Sequence, residues 1–214
     1  MTTVVIAGGH GQIALRLARL LSARGDAVRS LIRNPGHEAR VHATGAEPVL
    51  ADLEALDDVA EYVDGADAVV FAAGAGPGSG PERKRTVDLG AAVKLLDGAR
   101  RTRVPRYLMV SAMGAADPAA GAEAMRPYLE AKAQADAALA ASELEWTIVR
   151  PGGLTNEPGT GRVEVAPALG RRGTVTRDDV AAVLVGCLDE RRTVRATFDL
   201  LQGETPIAQA LAAL

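Results

Sequence analysis

Between Val4 and Leu21 an apolar, β-branched run, Val4-Val5-Ile6-Ala7, breaks into the turn Gly8-Gly9-His10-Gly11. It reopens at Gln12 as an amphipathic helix pattern. A short continuous apolar run suits a strand buried on both faces of a parallel sheet. The glycines let the backbone bend tightly and approach a ligand. The helix that follows offers unpaired N–H groups and the positive end of its dipole to a phosphate. Two registers fit: Gly9, Gly11 and Ala14 match G-x-G-x-x-G/A, while Gly8, Gly11 and Ala14 match a longer spacing with alanine last. Alanine there still permits close helix–strand packing. An ordinary strand-to-helix turn can carry the same glycines. Here the turn follows a strand, precedes a helix and opens a βαβ series, and those contexts point to a dinucleotide site.

Strand and helix signals alternate down the chain. A second strand is read at Ala27–Ile32, after the helix stop Arg24-Gly25-Asp26, and a third at 47–51. Apolar residues at helical spacing over 53–63 end at Asp64-Gly65, and 68–73 reads as a fourth strand. Residues 74–81 are rich in glycine and proline and read as a loop. The pattern continues with a helix at 86–100, a strand at 107–111, a helix at 128–142 and a strand at 146–150. Glycine and proline then dominate 151–173, before a helix at 178–188 and a strand at 197–201. Strands separated by helices require right-handed crossovers. The expected fold is α/β: a Rossmann-like, doubly wound parallel sheet in three α/β/α layers, with a small C-terminal substrate-side extension. One domain is expected over 1–214.

Composition narrows the function. A net charge of −3 gives no electrostatic case for nucleic acid or membrane binding, and 3% aromatic content leaves little for base stacking. The lone Cys187 sits in an apolar helical run, where it reads as a small buried hydrophobe; with no partner in the chain it fits a reducing compartment. The sequence shows no secretory leader and no apolar run of bilayer length, so a cytoplasmic setting is expected. His10, His37 and His42 lack metal-ligand spacing, and no metal site is expected.

A dinucleotide fold that prefers NAD places an acid about twenty residues past the glycines. Here the second strand runs out through Leu31-Ile32-Arg33-Asn34-Pro35, with no acid. Arg33 can take a 2′-phosphate bidentately, so the reading is NADP rather than NAD; a solvated loop arginine is the alternative. Asp52 follows the third strand, either where adenine would lie or as a helix N-cap, and the two roles are compatible. Further on, Tyr128-Leu129-Glu130-Ala131-Lys132 puts a phenol and an ammonium at i and i+4 of one helix face, and Ser111 ends the fifth strand. A phenol of pKa about 10 needs a nearby cation to work as an acid–base at neutral pH. A serine can hydrogen-bond the substrate carbonyl or hydroxyl while hydride passes to or from nicotinamide.

Together these residues resemble the short-chain dehydrogenase/reductase superfamily in its atypical branch of NAD(P)-binding proteins. That branch is similar to the biliverdin reductase B and nitrogen-regulator-like groups and to NAD-dependent epimerase/dehydratase homologues. The resemblance runs from the Gly8–Ala14 turn to Arg177-Asp178-Asp179-Val180-Ala181. It includes Ile32-Arg33-Asn34-Pro35, Asp52-Leu53, Val110-Ser111 and the run Thr147-Ile148-Val149-Arg150-Pro151-Gly152-Gly153-Leu154-Thr155. It implies that Gly8, Gly9, His10, Gly11, Gln12 and Ile13 line the pyrophosphate and that Arg33 takes the 2′-phosphate. Asp52 and Leu53 would flank adenine, and Ala72, Ala73 and Gly74 the ribose. Lys132 would reach the nicotinamide ribose, beside backbone of Pro151, Gly152, Gly153 and Leu154. Ser111, Tyr128 and Lys132 match the catalytic trio in type and order.

The leading expectation is an NADP-dependent oxidoreductase acting on a small carbonyl or alcohol, as a monomer or homodimer. A non-catalytic NADP(H)-binding redox sensor and an NAD(P)-dependent epimerase or dehydratase are the alternatives. The chain lacks the long C-terminal domain of extended sugar-nucleotide epimerases, which favours a small substrate.

Overall fold

Eleven strands alternate with helices in the computed structural model, which describes residues 1–76 and 78–214. In chain order the strands are β1 (Thr3–Ala7), β2 (Ala27–Ile32), β3 (Glu47–Leu50), β4 (Ala68–Phe71), β5 (Arg106–Val110) and β6 (Glu145–Pro151), then β7 (Gly153–Thr155), β8 (Arg162–Ala166), β9 (Thr174–Thr176), β10 (Ala196–Gln202) and β11 (Thr205–Pro206). Nine of them form one sheet in the order β11-β8-β10-β6-β5-β4-β1-β2-β3, while β7 and β9 pair separately. From β3 across to β10 every pairing is parallel; β8 runs antiparallel to β10 and to β11. The chain leaves β1 towards β2 and β3 and later returns to β4 on its other side. The carboxyl end of β1 is therefore the switch point where ligands bind in open α/β sheets.

Alternation along β1 shows how the layers form. Val4 and Ile6 enter a core with α1 (Gln12–Arg24) and α7 (Arg177–Asp189), while Val5 and Ala7 enter a second core with α5 (Ala92–Arg101) and α6 (Arg126–Ala140). On α1 the buried Ile13, Ala14, Leu17, Ala18 and Leu21 form a stripe at helical spacing. Each such large aliphatic side chain contributes about 1.5–3 kcal/mol on full burial. Gly25 stops α1 in the left-handed conformation, φ 91°, its N–H reaching the Leu21 and Ser22 carbonyls.

Three sequence expectations change. The helix expected over 53–63 reduces to α3 (Ala60–Val63), which follows the short α2 (Glu38–His42) and β3. Asp52 takes the N–H groups of Ala55 and Leu56 on its carbonyl and that of Glu54 on its side chain. Lys94 Nζ then binds the carbonyls of Leu53, Glu54 and Leu56, which a helix would have spent on its own ladder. Leu53, Val59 and Val63 are buried all the same, so their spacing reflects burial rather than helix. The helix expected from residue 86 begins earlier, at α4 (Pro81–Arg83), and passes through a π-helical stretch, Lys84–Ala91, into α5. The loop expected over 74–81 is irregular up to that helix, and its Pro77 lies outside the described residues. The glycine-rich 151–173 region contains β7 and β8, with β9 just after it. A final helix, α8 (Ile207–Leu211), packs Ala210 and Leu211 into the α1–α7 core. No described helix is long and apolar enough to cross a membrane.

Candidate functional site

The turn after β1 is built around missing side chains. Gly8 has φ +78°, and a Cβ on it would stand 2.6 Å from Ala73 Cα. One on Gly9 would stand 2.6 Å from Ser30 Cβ, and one on Gly11 3.0 Å from the Gly8 carbonyl oxygen. Gly11 is the N-cap of α1, with no side-chain cap and no acid in the first turn, so the helix start stays open to an anion. A cleft of about 240 Å³ lies over it, at the switch point of the sheet. Nine of the sequence-named positions line this cleft: Gly8, His10, Gly11, Arg33, Asp52, Leu53, Ala72, Ala73 and Gly74. Gly9 instead packs on Ser30, Gln12 is exposed at the helix start, and Ile13 is buried in the core. A bare glycine floor and an uncapped helix start suit the phosphates of a nucleotide, and an arginine stands on the cleft wall.

Three ionisable cleft residues, His37, Glu54 and Arg83, are not marked as site residues by the sequence. Glu54 accepts from Arg33 Nη1 and from Arg83 Nη2, both at 3.1 Å, and from Thr86 Oγ1 at 2.7 Å. His37 stacks on His10 with ring centroids 3.4 Å apart. Burial, then the charges of His37 and Arg40, hold His10 below its usual value of 6.5. Asp52 caps a turn at Glu54, so its capping role is local rather than that of a helix N-cap.

The second cluster stands at the carboxyl end of β5. One face of α6 carries Tyr128, Lys132 and Asp136, each four residues apart. Lys132 Nζ donates to the Val110 carbonyl at 3.0 Å and lies 3.5 Å from Asp88 Oδ1. Asp88 comes from the π-helical stretch, is fully buried, and accepts the Ala75 N–H at 3.2 Å. Ser111 follows β5 directly; its hydroxyl donates to Asp136 Oδ2 at 2.8 Å, and Arg150 Nε reaches the same oxygen at 2.9 Å. Among the described residues the other oxygens, Oδ1 of Asp88 and of Asp136, have no hydrogen-bond partner, although Asp88 Oδ1 keeps the ion pair with Lys132. Only Tyr128 and Lys132 were readable as a spaced pair. Asp136 extends that spacing by one turn, whereas Asp88 and Arg150 arrive from other elements.

Electrostatics differ from the sequence expectation at Tyr128. Lys84 Nζ lies 5.2 Å from its ring centroid and Lys132 Nζ 6.0 Å. Even so, burial, followed by the charges of Asp88 and Asp136, pushes the phenol above its usual value, so it holds its proton. Burial lowers Lys132 despite those same two carboxylates. Burial also raises Asp136, against the hydrogen bond from Ser111 and the charge of Arg150. Cys187 is buried and pushed up to about 12 by that burial, which makes it a packing residue.

Pro151 ends β6, and the Gly152 and Gly153 N–H groups are engaged by the Leu200 and Gly173 carbonyls. A Cβ on Gly152 would stand 2.4 Å from Leu201 Cδ2, so this turn is pressed against β10; Leu154 projects outward. The Arg177-Asp178-Asp179 segment is structural. Asp179 accepts the Thr160 and Gly161 N–H groups and the Thr176 hydroxyl, and Asp178 accepts the Gly159 N–H and pairs with Arg16. Among the described residues no cluster of three or more His, Cys, Asp or Glu could hold a metal ion.

A glycine-turned βαβ unit at the switch point of a parallel sheet, with both clusters on its carboxyl edge, defines a Rossmann-type nucleotide-binding protein. The family model described as NAD(P)H-binding matches residues 8–191, and the chain belongs to that family, an atypical short-chain dehydrogenase/reductase-like group. It is 43% identical over 210 residues to the uncharacterized sugar epimerase YhfK of Bacillus subtilis (strain 168), covering 97% of this chain and 98% of that one. A Bacillus halodurans protein described as an NAD-dependent epimerase/dehydratase superposes with a TM-score of 0.95 at 38% identity, over 100% of both chains. The oxidoreductase ylbE of Lactococcus lactis follows at 0.87 and 26%, over 99% of this chain and 96% of that one.

Proposed function

We propose that this chain is an NADP-dependent oxidoreductase acting on a small carbonyl or alcohol, with Tyr128 as its acid/base. The observation that carries the reading is the cluster of Ser111, Tyr128 and Lys132 at the carboxyl end of β5, on the edge that also bears the nucleotide cleft. In it, Gly8, Gly11 and the start of α1 hold the pyrophosphate, and Arg33 holds the 2′-phosphate. Asp52 and Leu53 flank adenine, Ala72, Ala73 and Gly74 the ribose, and Pro151, Gly152, Gly153 and Leu154 the nicotinamide side. When bound, the nicotinamide supplies or takes the hydride.

The protein's own part is to hold a proton and orient a carbonyl. A half-buried phenol kept protonated by desolvation and by the charges of two carboxylates is poised to donate to the developing alkoxide in reduction. Lys132, fixed by Val110 and Asp88, places a positive charge near it. Ser111 has one proton to donate and gives it to Asp136, so engaging a carbonyl requires the hydroxyl to turn away from that carboxylate. A reducing, cytoplasmic setting accords with the single buried cysteine.

A second reading, epimerase or dehydratase turnover with retained cofactor, draws on the description of the B. subtilis and B. halodurans relatives. Titration with NADPH and NADP+, followed by a carbonyl panel, tests the first. Both nucleotides are expected to bind. Tyr128→Phe is expected to lower kcat/KM by about 10²–10⁴ while keeping cofactor affinity. Failure of both nucleotides to bind ends the cofactor reading, and hydride transfer unchanged in Tyr128→Phe removes that residue from the chemistry.

A further inference from the structure

In the Arg33–Glu54–Arg83 cluster on the cleft wall, Glu54 and Arg83 have no part among the roles assigned above. Both guanidinium groups converge on a single oxygen, Glu54 Oε2, at 3.1 Å each, while Thr86 Oγ1 holds the other oxygen at 2.7 Å. All three charged residues line the cleft, and the two arginine side chains remain 52% and 37% exposed, free to meet a ligand. The backbone of Glu54 is fixed: its N–H is taken by Asp52 Oδ1 and its carbonyl by Lys94 Nζ. Displacing Glu54 from the arginines therefore means turning its side chain, not moving its backbone. Burial would raise that carboxyl, but the hydrogen bonds from Thr86 and Arg83 and the charges of Arg83 and Arg33 hold it below its usual value. It is a permanent anion near neutral pH.

We infer that Arg83 is a second recognition arm for a 2′-phosphate and that Glu54 is the resident anion this phosphate displaces from both arginines. The inference rests on the NADP reading. An oxygen that already collects two guanidinium donors marks where a phosphate oxygen can sit, since arginine forks bind carboxylate and phosphate alike. A phosphomonoester brings a charge of about −1.5 to −2. Two arginines and one glutamate leave a single net positive charge, so the carboxylate opposes the phosphorylated ribose. An unphosphorylated ribose offers a 2′-hydroxyl that can donate to the same carboxylate. Glu54 thus restrains the preference for NADP(H) and gives NAD(H) a partner.

Dissociation constants for NADPH and NADH, read by cofactor fluorescence, test this in wild type, Arg33→Gln, Arg83→Gln and Glu54→Gln, with melting curves to confirm folding. The NADPH-to-NADH preference is expected to fall at least about tenfold in Arg83→Gln, the size of a lost charge-assisted hydrogen bond. It is expected to rise several-fold in Glu54→Gln. If Arg33→Gln collapses the preference while Arg83→Gln and Glu54→Gln leave it intact, the two-arm inference falls and the NADP reading stands. If neither arginine variant changes the preference, both fall. A lower preference in Glu54→Gln overturns the displaced-anion role, because the carboxylate would then be organising the arginines rather than opposing the phosphate.

Discussion

Tyr128 keeps its proton because burial and two carboxylates, Asp88 and Asp136, oppose the phenolate. A value raised above the ordinary 10 leaves the donor form intact below pH 10 and loses it only as pH rises through the raised value. With Tyr128 as the acid, the reductive kcat/KM should therefore stay flat across neutral pH and decline on the alkaline side. Asp136→Asn removes one of the opposing charges and should move that alkaline limb to lower pH. Direct titration of the phenol by ultraviolet difference absorption, in wild type and variant, separates this from a general loss of structure. A limb that stays in place in Asp136→Asn would detach Asp136 from the phenol. The tyrosine and lysine were legible from their i, i+4 spacing, since a helix makes such pairs neighbours. Asp88 was not, because nothing local links a residue of one helix to a lysine 44 positions later.

At the scale of elements, the strands from β1 to β6 are legible because each reads as a short, mostly apolar run of its own, whereas the crossover over 53–63 is not a helix along its length. The 151–173 region was not legible. β7 and β9 are three residues each, and they pair with one another across glycine-flanked turns rather than by apolar alternation. What holds this region is side-chain chemistry from α7. Thr176 caps that helix on the Asp179 N–H, and Asp179 in turn takes the Thr160 and Gly161 N–H groups just before β8. The carboxylate is 1% exposed, so removing it strands buried donors. Asp179→Ala should cost about 2–4 kcal/mol in urea unfolding and raise amide exchange at Thr160 and Gly161 first. Unchanged exchange there, with stability retained, would mean the loop is held by β8 and β11 pairing alone.

For the whole molecule, the parallel order places the nucleotide cleft over β1 and β4 and the proton-holding cluster beyond β5 on the same edge. A dinucleotide long enough to reach from Arg33 to Lys132 would therefore touch residues from both halves of the sequence. Any ligand that binds only the folded chain stabilises it by RT ln(1 + [L]/Kd), about 2.7 kcal/mol at a hundredfold excess over Kd. For a chain of 214 residues that corresponds to a melting shift of roughly 5–10 °C. NADPH at saturating concentration should produce a shift of this size. Gly8→Ala should abolish it, since a Cβ there meets Ala73 Cα at 2.6 Å on a backbone of φ +78° and closes the phosphate turn. Adenosine 2′,5′-bisphosphate, which carries the arginine-facing half without nicotinamide, should give a smaller shift. That shift should be insensitive to Lys132→Met, whereas the shift with NADPH should shrink in the same variant. Equal responses of the two ligands to Lys132→Met would confine the binding energy to the cleft and disconnect it from the Ser111–Tyr128–Lys132 cluster.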